Sequence, residues 1–341
     1  MNSKITRHIK VIQLALLILV ITSCSNKKNI KKVSFYHWKA KADYNEAYKN
    51  ALSLAETKTV YLHYFDLKLL NKNDSKNDGI YPVYLLRDVD KAYQDFEIIP
   101  VVYITNQVFK NKIDIEGLVK RTSKLIHQIN EKQFQKQFTK IQIDCDWTQG
   151  TKHAYFEFLK LISKEFEVST TIRLHQVKFK KKTGVPPVKS GTLMLYNMGD
   201  LKNQQQNSIL ENNIVKQYIN ADTNYPLELN LGLPLFSQTI VSNTTNKIKI
   251  IKDAERSILE NDIHFKKIDK MNFSIVKDTL YKGFYLTKGY SLKLEELTED
   301  EIIASYKTVK SSKLNINELV FYHLDEKALK NINLNKIIDQ L

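Results

Sequence analysis

The spacing of apolar positions along this chain keeps switching between a period of two and a period of three to four. Eight runs are rich in β-branched and aromatic residues: 33–38 (VSFYHW), 59–67 (TVYLHYFDL), 96–105 (FEIIPVVYIT), 140–149 (KIQIDCDWTQ), 168–177 (VSTTIRLHQV), 192–198 (TLMLYNM), 227–233 (LELNLGL) and 319–324 (LVFYHL). Such runs, bounded by polar or turn-forming residues, predict strands. Pro100 removes one ladder donor from the third. Helical spacing falls between them: 41–55 through Tyr44, Ala47, Ala51, Leu54 and Ala55; 115–129 through Leu118, Val119, Leu125, Ile126 and Ile129; then 151–166, 208–219 and 327–341. Strands separated by helices imply a parallel sheet. Eight such units predict an α/β protein with a closed (β/α)8 TIM barrel. A doubly wound open sheet is the alternative, but no glycine-rich phosphate loop follows the first strand.

The rhythm breaks between the seventh and eighth strands. Short runs at 248–251, 273–276, 279–286 and 290–294, with turns at Lys282-Gly283 and Lys288-Gly289, predict a small α+β insertion over about residues 240–297. Thr298 with Glu301 three residues on reads as a capping box opening the next helix.

The first residues have another character. Lys4, Arg7 and Lys10 precede an apolar run at 11–21 and the sequence Ile21-Thr22-Ser23-Cys24. A basic start, a short apolar stretch and small residues make an export signal, and the run is too short to span a bilayer. Ile-Thr-Ser-Cys resembles the bacterial lipobox. The expectation is a signal peptide at 1–23, a lipid on Cys24, a tether at 24–32 and the barrel at 33–341: a monomeric envelope lipoprotein held by its membrane anchor, on the periplasm-facing outer membrane. The only other cysteine, Cys145, is expected to be buried and apolar. The net charge of +15 invites a nucleic-acid reading. Scattered lysines and few arginines argue against it, and no nucleic acid is expected. Lys27, Lys28, Lys31 and Lys32 sit where they would meet anionic headgroups; Lys178, Lys180, Lys181 and Lys182 read as a loop tip.

Candidate chemistry gathers at the predicted strand ends, where barrel sites lie. In 140–149, Ile141, Ile143 and Cys145 face one way while Gln142, Asp144 and Asp146 face the other. Two acids on one strand face repel unless they share a proton, a cation or a ligand. Other strand ends add His37 and Trp38; His63 and Asp66; Tyr103; Trp147; Arg173 and His175; Tyr196 and Asn197; Glu228 and Asn230; His323 and Asp325. Arg173 and His175 are predicted to share a face, as are Glu228 and Asn230. Buried charges need partners, so these pairs imply a polar pocket or, with Arg173 neutralising both acids, a structural ion network.

Asp144-Cys145-Asp146-Trp147-Thr148 resembles the fourth-strand signature Asp-x-Asp-x-Glu of family 18 glycoside hydrolases, the chitinase-like barrels. Met194-Leu195-Tyr196-Asn197 is similar to their sixth-strand Met-x-Tyr-Asp, and an insertion after strand seven is a feature of many members. The resemblance implies that Asp146, helped by Tyr196, orients an N-acetyl group. Thr148 stands in place of the family's general acid, and Asn197 in place of an aspartate. A threonine hydroxyl has no acidic proton near neutral pH, and general acid–base catalysis is worth roughly 10²–10⁴-fold. Two expectations follow. In one, the acid has moved to Glu228, Asp66 or Asp325, working with Asp144 or Asp146 across a sugar ring, with the carboxyls about 5–10 Å apart. In the other, the barrel binds a glycan or another polar ligand without cleaving it, with Trp38, Trp147 and Tyr196 as stacking platforms. A metal on Asp144, Asp146 and His175 or His63 lacks close ligand spacing. No metal and no cofactor are expected.

Overall fold

The computed structural model of the protein describes residues 32–340 apart from 75, 252 and 253. All eight runs form strands: β1 (Val33–His37), β2 (Thr59–Leu69), β3 (Glu97–Ile104), β4 (Lys140–Asp144), β5 (Glu167–Arg173), β6 (Ser190–Met194), β7 (Glu228–Pro234) and β8 (Ile316–Tyr322). Around the ring they pair in parallel in the order β1-β8-β7-β6-β5-β4-β3-β2, and β2 pairs back onto β1. The sheet is a closed (β/α)8 barrel. Ile80–Val83 folds back antiparallel on the end of β2, placing Val83 opposite Asp66. Cys24 and the predicted signal and tether through residue 31 lie outside the described residues.

The outer layer includes α1 (Glu46–Leu54), α2 (Ile115–Phe134), α3 (Lys152–Ile162), α4 (Leu174–Lys178), α5 (Asn212–Tyr218), α6 (Glu299–Lys310) and α7 (Glu326–Asn331). Short helices also form at Lys180–Thr183, where a loop tip was expected, and at Leu334–Ile338, so that the helix expected at 327–341 is broken in two. Several helix starts carry an ordinary side-chain cap: Asn45 accepts from the Tyr48 N–H, Asp114 from Gly117, and Thr298 from Glu301. Half of the predicted capping box is thus present; the Glu301 carboxylate turns instead to the Asn212 N–H. The predicted helix at 41–55 begins only at Glu46, after a short strand at Lys41–Ala42.

The insertion occupies the stretch its spacing predicted but holds more strands than its short runs suggested. Gln238–Ser242, Ile248–Ile251, Phe265–Lys267, Asn272–Ile275 and Ser291–Glu295 form one antiparallel sheet, joined by a helix at Arg256–Asn261 and a hairpin, Thr279–Tyr281 with Phe284–Leu286. It has its own core, including Leu259, Phe273, Ile275, Leu292 and Leu294. Lys293 and Glu295 on its last strand are a sealed ion pair, 2.6 Å apart with both side chains at 0% exposure. Lys293 also donates to the Asn203 and Gln206 carbonyls, while Glu295 accepts from the Ser208 N–H and hydroxyl and from Gln238. Every polar atom of the pair has a partner, as burial demands. The pair straps the loop after β6 to the insertion.

Inside the barrel, alternation places polar groups in layers. At the bottom, Glu318 accepts from Ser34, from Tyr61 and from Asn230, and meets Lys32 at 3.5 Å. Above it, the Tyr36 hydroxyl donates to Gln142 at 2.5 Å, and Gln142 donates to Thr192 at 3.0 Å. The top layer is the barrel mouth.

Candidate ligand site at the barrel mouth

Asp144 ends β4 directly beside Tyr103 of β3. Its carboxylate is buried and accepts from the Thr171 hydroxyl of β5 at 2.5 Å. Burial pushes the Asp144 carboxyl up to about 6, with the Asp146 charge adding to the rise while Arg173 and Thr171 oppose it. Asp146, just past the strand, keeps the same parity and faces β5. Arg173 grips it with two hydrogen bonds, from Nε at 2.5 Å and Nη2 at 3.2 Å, and reaches the Tyr196 carbonyl at 3.4 Å. Such a fork-on-carboxylate pair is geometrically specific. Burial works against the guanidinium charge, but Asp146 more than offsets it and holds Arg173 above its ordinary value.

The opposite side of the mouth is aromatic. Tyr196 stacks on Tyr322 with ring centroids 4.6 Å apart, Phe236 stands edge-on to both, and Trp38 packs against Tyr322 at 5.6 Å and on the His63 ring at 4.6 Å. Stacked and edge-on rings at these separations reinforce one another. His63 bonds Asp66 at 2.7 Å, and Asp66 also meets Lys68 at 3.1 Å. Beside this wall, towards the insertion, opens a cavity of about 400 Å³ bounded by Asn197, Phe236, Gln238, Tyr322, His323 and Lys327. Two of its lining residues, Ser208 and Gln238, are those held by Glu295.

The structure therefore brings together Trp38, His63, Asp66, Asp144, Asp146, Arg173 and Tyr196 at one end of the barrel, with Asn197, His323 and Asp325 around the cavity. It corrects the placement of others. His37 has the opposite parity to Tyr36 and Trp38, so it points outward, bonded to Tyr93 at 2.7 Å; burial and then Lys39 lower it to about 4. Trp147 follows Cys145 to the outer face, fully buried, stacked on Tyr155 and donating to the Thr183 carbonyl, so it is core and not a platform. His175 does not share a strand face with Arg173. The chain turns into α4 there because the Gln176 carboxamide accepts from the Arg173 N–H and donates to the Trp147 carbonyl, leaving His175 exposed. Glu228 begins β7 and is exposed at the far end of the barrel from Asp144, bonded by Asn317. Asn230 belongs to the bottom layer with Tyr61 and Glu318. Asp325 caps α7 through the Lys327 and Ala328 N–H groups. Thr148 is exposed and tied to Thr151 at the turn before α3.

Sequence reasoning missed Thr171, Tyr322 and Phe236. Thr171 and Tyr322 were legible from parity, two residues before Arg173 and two after Val320; nothing local marks Phe236.

No protein-family model matches the sequence, and no curated protein matches it. Among solved structures, the chain is similar to the spore cortex-lytic enzyme SleL of Bacillus cereus, at 12% identity over 91% of this chain and 74% of that one, with a TM-score of 0.47. It is similar to a chitinase from Bacteroides thetaiotaomicron, at 11% identity over 91% and 96% of the two chains, TM-score 0.47. It is also similar to a class V chitinase from Nicotiana tobaccum in complex with NAG4, at 8% identity over 90% and 97%, TM-score 0.41.

Proposed function

We propose that this protein is an exported, lipid-anchored barrel that binds a glycan at its mouth and does not hydrolyse it by the chitinase-like mechanism. The observation that carries this reading is the two-bond Arg173–Asp146 pair standing beside an aromatic wall, with Thr148 where the family's acid would be. The relocated acids fare no better. Asp66 is engaged by His63 and Lys68, Asp325 by the start of α7, and Glu228 lies at the other end of the barrel. A sugar ring offers an apolar face to Tyr322 or Trp38, with Tyr196 packed behind Tyr322, and hydroxyls to Asp146 and Arg173, the mixture of apolar surface and a few convergent polar groups that small-ligand sites use. The lipid on Cys24 and the envelope location belong to the same reading and rest on the sequence of residues 4–24.

A second reading, hydrolysis with Asp144 as acid, is favoured by one observation: its carboxyl is shifted to about 6, into the range where a carboxyl can donate a proton near neutrality. The test is a panel of oligosaccharides, including two- and six-unit oligomers of β-1,4-linked N-acetylglucosamine, scored for binding by calorimetry and for new reducing ends. Binding weakened by Asp146→Asn without release of reducing ends is the expected result. Release that disappears in Asp144→Asn would establish the second reading, and binding that ignores Asp146→Asn would remove the mouth as the site.

A further inference from the structure

Tyr84 stands out among the exposed residues around the barrel mouth. It follows the short strand Ile80–Val83 and is 65% exposed. Its backbone is left-handed, with φ at 53°. A bulky non-glycine residue there is strained, by roughly 1–3 kcal/mol, and such strain concentrates at ligand clamps. An exposed tyrosine whose hydroxyl bonds to none of the described residues is poor compensation for that conformation in a purely structural role.

Its neighbours point towards the mouth. The Lys68 ammonium sits 4.5 Å from the centre of the Tyr84 ring and 3.1 Å from Asp66. Asp66 bonds His63 at 2.7 Å, and His63 lies on Trp38 with ring centroids 4.6 Å apart. An unbroken series of contacts therefore runs from the exposed ring, through a cation and a carboxylate, to the aromatic wall. Val83 is paired with Asp66 and the Leu86 N–H with the Tyr64 carbonyl, so the backbone on both sides of Tyr84 is fixed to β2. The ring is held at the rim by a rigid support, with Lys68 over one face.

We infer that Tyr84 is a second sugar-binding position at the rim, on which a distal unit of an oligosaccharide stacks while nearer units occupy the mouth. This rests on the glycan reading above and adds to it a preference for long chains. The experiment compares binding of the six-unit and two-unit N-acetylglucosamine oligomers to the full chain and to Tyr84→Gly, with thermal melting of both proteins. Glycine removes the ring and relieves the left-handed backbone. The expected result is about tenfold weaker binding of the six-unit oligomer, the order of one lost stacking contact, with binding of the two-unit oligomer unchanged and a melting temperature unchanged or raised. Equal loss for both oligomers, no loss for either, or a lowered melting temperature would overturn the assignment, the last by showing that Tyr84 supports the fold. If neither oligomer binds the unaltered protein, the glycan reading falls and takes the rim position with it, whatever the melting temperature of Tyr84→Gly. A six-unit oligomer that binds with no help from Tyr84 removes the rim position alone.

Discussion

Two ion pairs in this molecule use similar groups to opposite ends. Lys293–Glu295 is sealed, with each of its polar atoms engaged by neighbouring backbone or side chains. Arg173–Asp146 stands at the barrel mouth with side chains 22% and 42% exposed. The first joins two segments far apart in sequence and has no face left for a ligand. The second fixes a planar arrangement of charge that still meets solvent. Burial, and not the identity of the charges, separates a strut from a recognition surface.

The contrast breaks if the sealed pair proves dispensable. Lys293→Met strands Glu295 without its cation, and loss of one partner of a buried pair costs about 3–5 kcal/mol; urea unfolding should show a loss of that order. Replacing both, as Lys293→Met with Glu295→Leu, should recover much of it. A single substitution that leaves the urea midpoint in place would mean the loop after β6 is held by other contacts.

Asp144 lies between the two cases: buried, but next to the exposed pair. Its carboxyl is raised from its ordinary 3.8 to about 6, so the folded state holds its proton more tightly than the unfolded chain does. Its contribution is therefore full below about pH 4 and is lost as pH rises towards 6, by roughly 3 kcal/mol for a shift of this size. Asp144→Asn keeps an acceptor for Thr171 and carries no such penalty. Its stability advantage over the unaltered protein should be small at pH 4 and grow to a plateau above pH 6 in melting experiments; an advantage independent of pH would contradict the burial argument.

The smallest effect on stability belongs to the exposed pair. Arg173→Ala should cost no more than about 1 kcal/mol, as partly solvated pairs do, while reducing glycan binding at least tenfold. A large destabilisation with binding intact would reverse the assignment of strut and recognition surface.

Much of the fold was legible because each barrel strand is short, apolar and flanked by helical spacing, and the eight runs survive without any knowledge of their order. The site was legible in part. Alternation placed Asp144 and Asp146 on one face, and the same parity, applied to Trp147 and His37, sends both outward; residue type had drawn attention to them where parity argued otherwise. Arg173 and His175 parted because a single carboxamide, Gln176, ends the strand. Glu228 was misplaced by reading a strand's first residue as if it were its last. The sealed pair and the Phe236 contacts join segments remote in sequence, and no local pattern marks them.

The ring itself has a bearing on biogenesis. β1 is flanked by β2 on one side and by β8 on the other, and β8 is the last of the eight barrel strands along the chain. Until residues 316–322 emerge and dock, both β1 and β7 present unpaired backbone, and Glu318 is missing from beneath Ser34 and Tyr61. Chains truncated before Ile316 would carry two open strand edges, which pair readily with other chains. Such fragments should therefore accumulate as aggregates or be degraded, not persist as soluble part-barrels.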